Sequence, residues 1–182
     1  SGNTAVGYSS GYTITTGGSN VSVGDRSLYL NTSGGTNVSV GQMNMYSNTT
    51  GSDNTAIGRQ ALYDNTTASN NVAVGVTALG DNTTGTSNVA VGMDSLRDNT
   101  TGGSNTAVGY LALHANTTAD NNTAIGVQAL YDNTTGTQST AVGKEALRQS
   151  NASYNTALGY ATLYNNTSAT HNTAVGWRAL YD

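Results

Sequence analysis

Asparagine, aspartate, tyrosine and threonine return in this chain at fixed intervals, and these are the side chains that could carry chemistry. Asn31, Asn48, Asn65, Asn82, Asn99, Asn116, Asn133 and Asn166 each open an Asn-Thr-Thr or Asn-Thr-Ser triplet, the acceptor sequence for an N-linked glycan. A glycosylating cell would hang a row of sugars along one edge. The plainer reading is a turn, because Asn and Thr side chains bond local backbone readily. A second file, Asn3, Asn20, Asn37, Asn54, Asn71, Asn88, Asn105, Asn122, Asn155 and Asn172, with Ser139 once, suits a structural ladder of stacked amides. Asp64, Asp81, Asp98 and Asp132 could gather cations weakly. A calcium site needs six or more oxygens around a glycine-shaped loop, and no D-x-D-x-D run occurs. His114 and His171 lie at unrelated places in their repeats and read as surface residues. Tyr29, Tyr46, Tyr63, Tyr131, Tyr164 and Tyr181 form a regular row, able to stack on sugar rings or, the preferred reading, to pack between chains. Paired threonines raise ice binding, but adjacent side chains diverge. Nothing resembles a nucleophile beside a base, so no enzyme, cofactor or metal site is expected.

What must position these residues is a repeat. A small residue, then Val, Ile or Leu, then Gly recurs with glycines at 7, 24, 41, 58, 75, 92, 109, 126, 143, 159 and 176. Every step is 17 residues except the one from Gly143 to Gly159, which is one shorter. A period this strict marks a solenoid, each repeat being one coil that cannot bury its apolar side alone. The expected fold is all-β, a parallel β-roll of about eleven 17-residue coils spanning 1–182 as one domain.

Counting from the glycine, the consensus is G-x-x-A-L-Y-D-N-T-T-G-x-x-N-T-A-V. The N-T-A-V-G stretch alternates with the period of a strand, and a second strand is expected around Leu28, Leu62, Leu79 and their equivalents. The apolar set around that leucine is too narrow for an amphipathic helix. N-T-T-G-x-x has turn composition. The β-branched residues are expected to face inward against the leucine, making a thin Val/Leu core of two or three apolar side chains per coil. The small residues then face outward. Ala56, Gly58, Ala73, Gly75, Ala90, Gly92, Ala107 and Gly109 belong to that ribbon, which reads as an assembly face for another chain. A tight fit within the coil is the plainer alternative. The residue after each glycine varies freely, which indicates exposure.

Composition agrees with a rod. Charged residues make up 9% of the chain and the net charge is −4, with no Pro, Cys or Phe. Missing proline suits a backbone whose N–H groups are needed for ladders. The absence of a basic patch argues against nucleic acid, and no apolar run approaches a membrane span of roughly 20 residues. The chain starts at Ser1 inside one repeat and stops at Asp182 inside another, so it is expected to be a piece of something longer.

The motif N-T-A-V-G-Y, in Asn3 to Tyr8 and again from Asn105 through Leu113, resembles repeats of phage tail-fibre proteins and the head repeat of trimeric autotransporter adhesins. The adhesin head repeat is usually shorter, and the extra residues here enlarge the N-T-T-G turn. The resemblance implies a β-roll in an extracellular, cell-surface or virion fibre. The expected partner is the chain itself, as a trimer or an end-to-end filament. A carbohydrate-binding head recognising a cell-surface glycan is the alternative, and an ice-binding rod a weaker one.

Overall fold

The computed structural model describes residues 2–181; Ser1 and Asp182, the two ends of the domain, lie outside the described residues. Eleven three-residue strands, from β1 (Thr4–Val6) to β11 (Thr173–Val175), form a single parallel sheet in chain order. Equivalent residues pair directly, as in Thr55 with Val72, Ala56 with Ala73 and Ile57 with Val74. The chain is therefore a β-solenoid, as the period requires.

Each coil has one strand rather than two. The leucine stretch is an arc of turns in which alternate residues take left-handed backbone, such as Gln60 at φ 57° and Leu62 at φ 50°. A non-glycine residue pays about 1–2 kcal/mol for that conformation. Hydrogen bonds between coils offset it. Gln60 N–H donates back to Gln42 O at 3.0 Å, while Leu62 N–H and Asp64 N–H donate forward to Ala78 O at 3.0 Å and Gly80 O at 2.9 Å. The arc is laddered like a strand but curls around its leucine, which closes the coil.

The interior is alanine and leucine. Ala56, Ala61 and Leu62 are fully buried, and the same trio recurs as Ala73, Ala78, Leu79 and as Ala107, Ala112, Leu113. This matches the expected two or three apolar side chains but reverses the expected facing of the strand. The alanine points in, and its β-branched neighbours point out. A leucine reaching across from the arc leaves room beneath the sheet only for a methyl or a hydroxyl group. In the first coils the alanines are replaced by hydroxyl groups that bond one another: Ser10 to Ser22 at 2.6 Å, Ser27 to Ser39 at 2.8 Å, and Ser39 onward to Asn44 Oδ1 at 2.7 Å.

The glycines are axial spacers. At Gly109, with φ 138°, an added Cβ would lie 2.6 Å from the carbonyl oxygen of Gly126 in the next coil. The backbone of one coil sits directly on that of the next, so there is no space for a side chain.

Two asparagine files form a polar spine inside the coil. Asn88 Nδ2 crosses to donate to Gly102 O at 2.8 Å, and Asn88 Oδ1 accepts from the backbone N–H of Asn105 at 2.9 Å. Asn99 Nδ2 donates to the same Gly102 oxygen at 2.9 Å and to Asn82 Oδ1 at 2.8 Å. Both files are buried through the middle of the rod, and Asn133 Oδ1 is the one buried side-chain polar atom without a partner among the described residues. Satisfying these groups is what makes a polar interior tolerable.

Candidate interaction surface

The strand residues that point outward make one continuous surface. Before each glycine stands Val6, Val23, Val40, Ile57, Val74, Val91, Val108, Ile125, Val142, Leu158 or Val175, and two residues earlier stands Val or Thr. They are half-buried or exposed: Ile57 is 42% and Leu158 47% accessible. The residue after the glycine widens the surface with Met93, Tyr110, Val127, Tyr160 and Trp177, all exposed. Eleven strands at ~4.8 Å spacing, each ~10 Å wide, give about 500 Å² before that extra file is counted. The largest apolar patch on an ordinary monomer reaches only about 300–600 Å². Here the file before the glycine is apolar in every coil, while the file two residues earlier is Val in four coils and Thr in seven.

The residues expected to form an assembly face lie elsewhere. Ala56, Ala73, Ala90 and Ala107 are buried in the core, and Gly58, Gly75, Gly92 and Gly109 are pressed against the backbone of the next coil. The small ribbon is consumed within the chain. A signal for this was present in the sequence: Val and Thr interchange freely three residues before the glycine, which marks a position that tolerates water, whereas the position between is always Ala or Ser.

The sequon asparagines are also inside. Asn31, Asn48, Asn65, Asn82, Asn99, Asn116 and Asn133 are fully buried, each donating to the carbonyl three residues on. Their amide nitrogens are not available to a glycan in the folded coil. Asn166 is only half-buried, and its Nδ2 donates to Ala169 O at 2.9 Å. From Thr32 to Thr134, the Thr that follows the asparagine turns its hydroxyl to the next coil, as Thr83 does to Thr100 O at 2.9 Å. The second Thr is exposed in a single file.

The tyrosine row packs, but along its own chain. Tyr12, Tyr29, Tyr46 and Tyr63 stack ring on ring, with centroids 5.4, 5.1 and 5.4 Å apart. Tyr164 stacks on Tyr181 at 5.0 Å, and Tyr131 on His114 at 5.1 Å. Ring faces are largely spent on other rings, leaving edges to solvent. His114 belongs to this file, five residues after Gly109, and is buried rather than a surface residue; counting from the glycine would have placed it there. His171 is exposed and stacks on Tyr154 at 4.8 Å.

Asp64, Asp81 and Asp98 run alongside this file in three consecutive coils, while Asp132 stands apart beyond Ala115. Asp98 holds Arg97 Nε at 2.7 Å and lies 3.7 Å from His114 Nδ1. Burial, then the carboxylates of Asp98 and Asp64, push the Asp81 carboxyl above its ordinary value. Burial pushes the His114 imidazole below its own, against the pull of Asp98. Among the described residues no helix is long and apolar enough to cross a membrane. Comparison with protein-family models, with curated proteins and with solved structures gives no match.

Proposed function

We propose that the chain is a structural, non-enzymatic segment of an extracellular fibre, of tail-fibre, adhesin or surface-filament type, that associates with further copies of itself. The observation that carries this reading is the outward Val/Ile/Leu file, apolar at every described coil and flanked by exposed apolar side chains at Met93, Tyr110, Val127, Tyr160 and Trp177. The strand face alone, about 500 Å², is short of the ~800 Å² per partner of a standard interface, and the file after the glycine would supply part of the rest. A second copy would bring an identical strip with the same axial repeat, so one register of contact would recur at every coil. Hydrogen bonding from coil to coil along the whole length suits a part that bears load and resists proteases. The resemblance of the N-T-A-V-G repeats to tail-fibre and adhesin-head sequences points the same way.

The test is the assembly state of the purified chain, by mass measurement in solution beside negative-stain imaging. Trimers or longer fibres are expected, and Val74→Lys combined with Val108→Lys should return them to monomers that keep their β-sheet circular dichroism. A stable wild-type monomer at high concentration would overturn self-association. Saturable binding of a glycan by that monomer would move the reading to a carbohydrate-binding head.

A further inference from the structure

Along the tyrosine file, flat groups are laid on one another, and a guanidinium serves as a rung as well as a ring does. Arg148 sits between Tyr131 and Tyr164, its Cζ 5.1 and 5.7 Å from the two ring centroids, and its Nη1 donates to Tyr164 Oη at 2.8 Å. One coil leaves the rung empty. Five residues after Gly75 stands Gly80, where every other described coil has Tyr, His or Arg. The gap is a cavity of about 90 Å³ lined by Gln60, Tyr63, Thr77, Gly80, Asp81 and Arg97. Tyr63 stacks on Tyr46 with one face and turns the other to this gap.

Backbone geometry does not require the glycine. Gly80 lacks the left-handed φ of the spacer glycines, and an added Cβ would meet Thr77 O at 3.2 Å, a tight contact that a shift of a few tenths of an ångström relieves, and Arg97 Cγ at 3.6 Å. The polar rim carries a charge preference. Asp98 is already paired with Arg97, whereas Asp64 and Asp81 have no ion-pair partner among the described residues. The carboxylates of Asp98 and Asp64 crowd Asp81 and are only partly offset by Arg97; a further cation placed beside it would offset the remaining repulsion. A planar cation suits the gap better than a compact one, because it can stack on the open face of Tyr63 while its edge donates to a carboxylate.

We propose that the gap at Gly80 is a binding site for a guanidinium group, supplied by an arginine side chain of a partner polypeptide, which completes the ladder between Tyr63 and Arg97 and donates to Asp81. Gln60, on the same rim, already accepts from Arg59 Nη1 at 3.0 Å, so Asp81 is the principal acceptor.

The test titrates the full chain with N-acetyl-arginine amide, N-acetyl-lysine amide and benzamide, following the Tyr63 ring signals by NMR. The arginine amide should shift them saturably and bind at least about tenfold more tightly than the lysine amide. Gly80→Tyr should fill the rung, keep or raise the melting temperature and abolish the response. Asp81→Asn, a change of nearly equal size at the rim, should weaken binding about threefold or more without changing the fold, and it serves as the second variant should Gly80→Tyr misfold. Equal binding of the lysine amide would reduce the effect to charge alone and overturn the proposal. So would tighter binding of the uncharged ring, an unmoved Tyr63 signal, or full binding by either variant.

Discussion

The regular coils and the one short coil share a sheet and differ in their polar interior. Across the short step, Thr156 still pairs with Thr140 and Leu158 with Val142. Gly159 N–H still donates to Val142 O at 2.8 Å, as Gly109 does to Val91 O. The shortening falls at the opposite corner, where Ser150-Asn151-Ala152 stands in place of Asn-Thr-Thr-Gly. Two consequences follow. Asn133 Oδ1 loses its donor, since Ser150 cannot reach it, and is the buried side-chain atom left without a partner among the described residues. The bond that Thr100 N–H makes to Thr117 O at 2.9 Å is replaced: Thr134 N–H and its hydroxyl donate to the side-chain oxygen of Asn151, at 2.6 and 2.8 Å. Length can therefore vary at the N-T-T-G corner, where a side-chain carbonyl substitutes for a backbone one. The sheet and the glycine spacers admit no such exchange.

The largest expected effect tests whether the spacers are common to both regions. Gly109→Ala places a Cβ against the Gly126 carbonyl and should cost about 3 kcal/mol or more. Gly143→Ala, at the edge of the short coil, should cost the same within about 1 kcal/mol by denaturant unfolding. A mild phenotype in either would break the claim of a shared frame. Next comes the spine. Asn99→Ala removes donors to Asn82 and Gly102 and strands the amide of Asn116, for about 2–4 kcal/mol. Asn133→Ala should cost about 1 kcal/mol less, because its oxygen has no bond to lose. Equal losses would mean that the ladder is not broken there.

Asn151→Ala should cost about 1–2 kcal/mol, with faster amide exchange at Thr134, whereas Thr101→Ala on the exposed file should stay within about 0.5 kcal/mol. Ser150→Asn offers the missing donor to Asn133 and should gain about 1 kcal/mol; a loss would show that the shortened corner no longer has room for the amide. The smallest effect is one of pH. With its folded value below the ordinary 6.5, His114 is protonated first in the unfolded chain. Its share of stability is complete above that value and falls as pH drops toward the folded one. His114→Tyr, which matches the rest of the file, should flatten melting temperature against pH in that window.

Much of this was legible in the residues. The glycine spacing specified the coil, and the recurrent leucine position of Leu62 was read correctly as interior. The expected second strand was not found, because left-handed backbone at Gln60 and Leu62 bends the chain more tightly than pleating allows. The Asn-Thr-Thr triplets read as surface turns, yet Asn99 is buried because the Gly102 carbonyl it serves faces into the coil. The tyrosines suggested contact with another molecule, and Tyr29 instead meets Tyr12 and Tyr46. Members of that file that are not tyrosine, Gly80 and Arg97 among them, passed unnoticed because their residue types differ.

By itself the sequence determined the solenoid: a fixed period places equivalent residues one above another, and a hydrogen-bonded stack is the arrangement that satisfies all repeats alike. It could not determine which face of the strand is inside. Alternation with period two is unchanged when the two faces are exchanged, and hydrophobicity favoured the valines. The tertiary structure decided for alanine because the interior is already filled by the leucine of the arc and the two asparagine files. The width left for the strand's inner side chain is a property of the closed coil, to which distant parts of the repeat contribute.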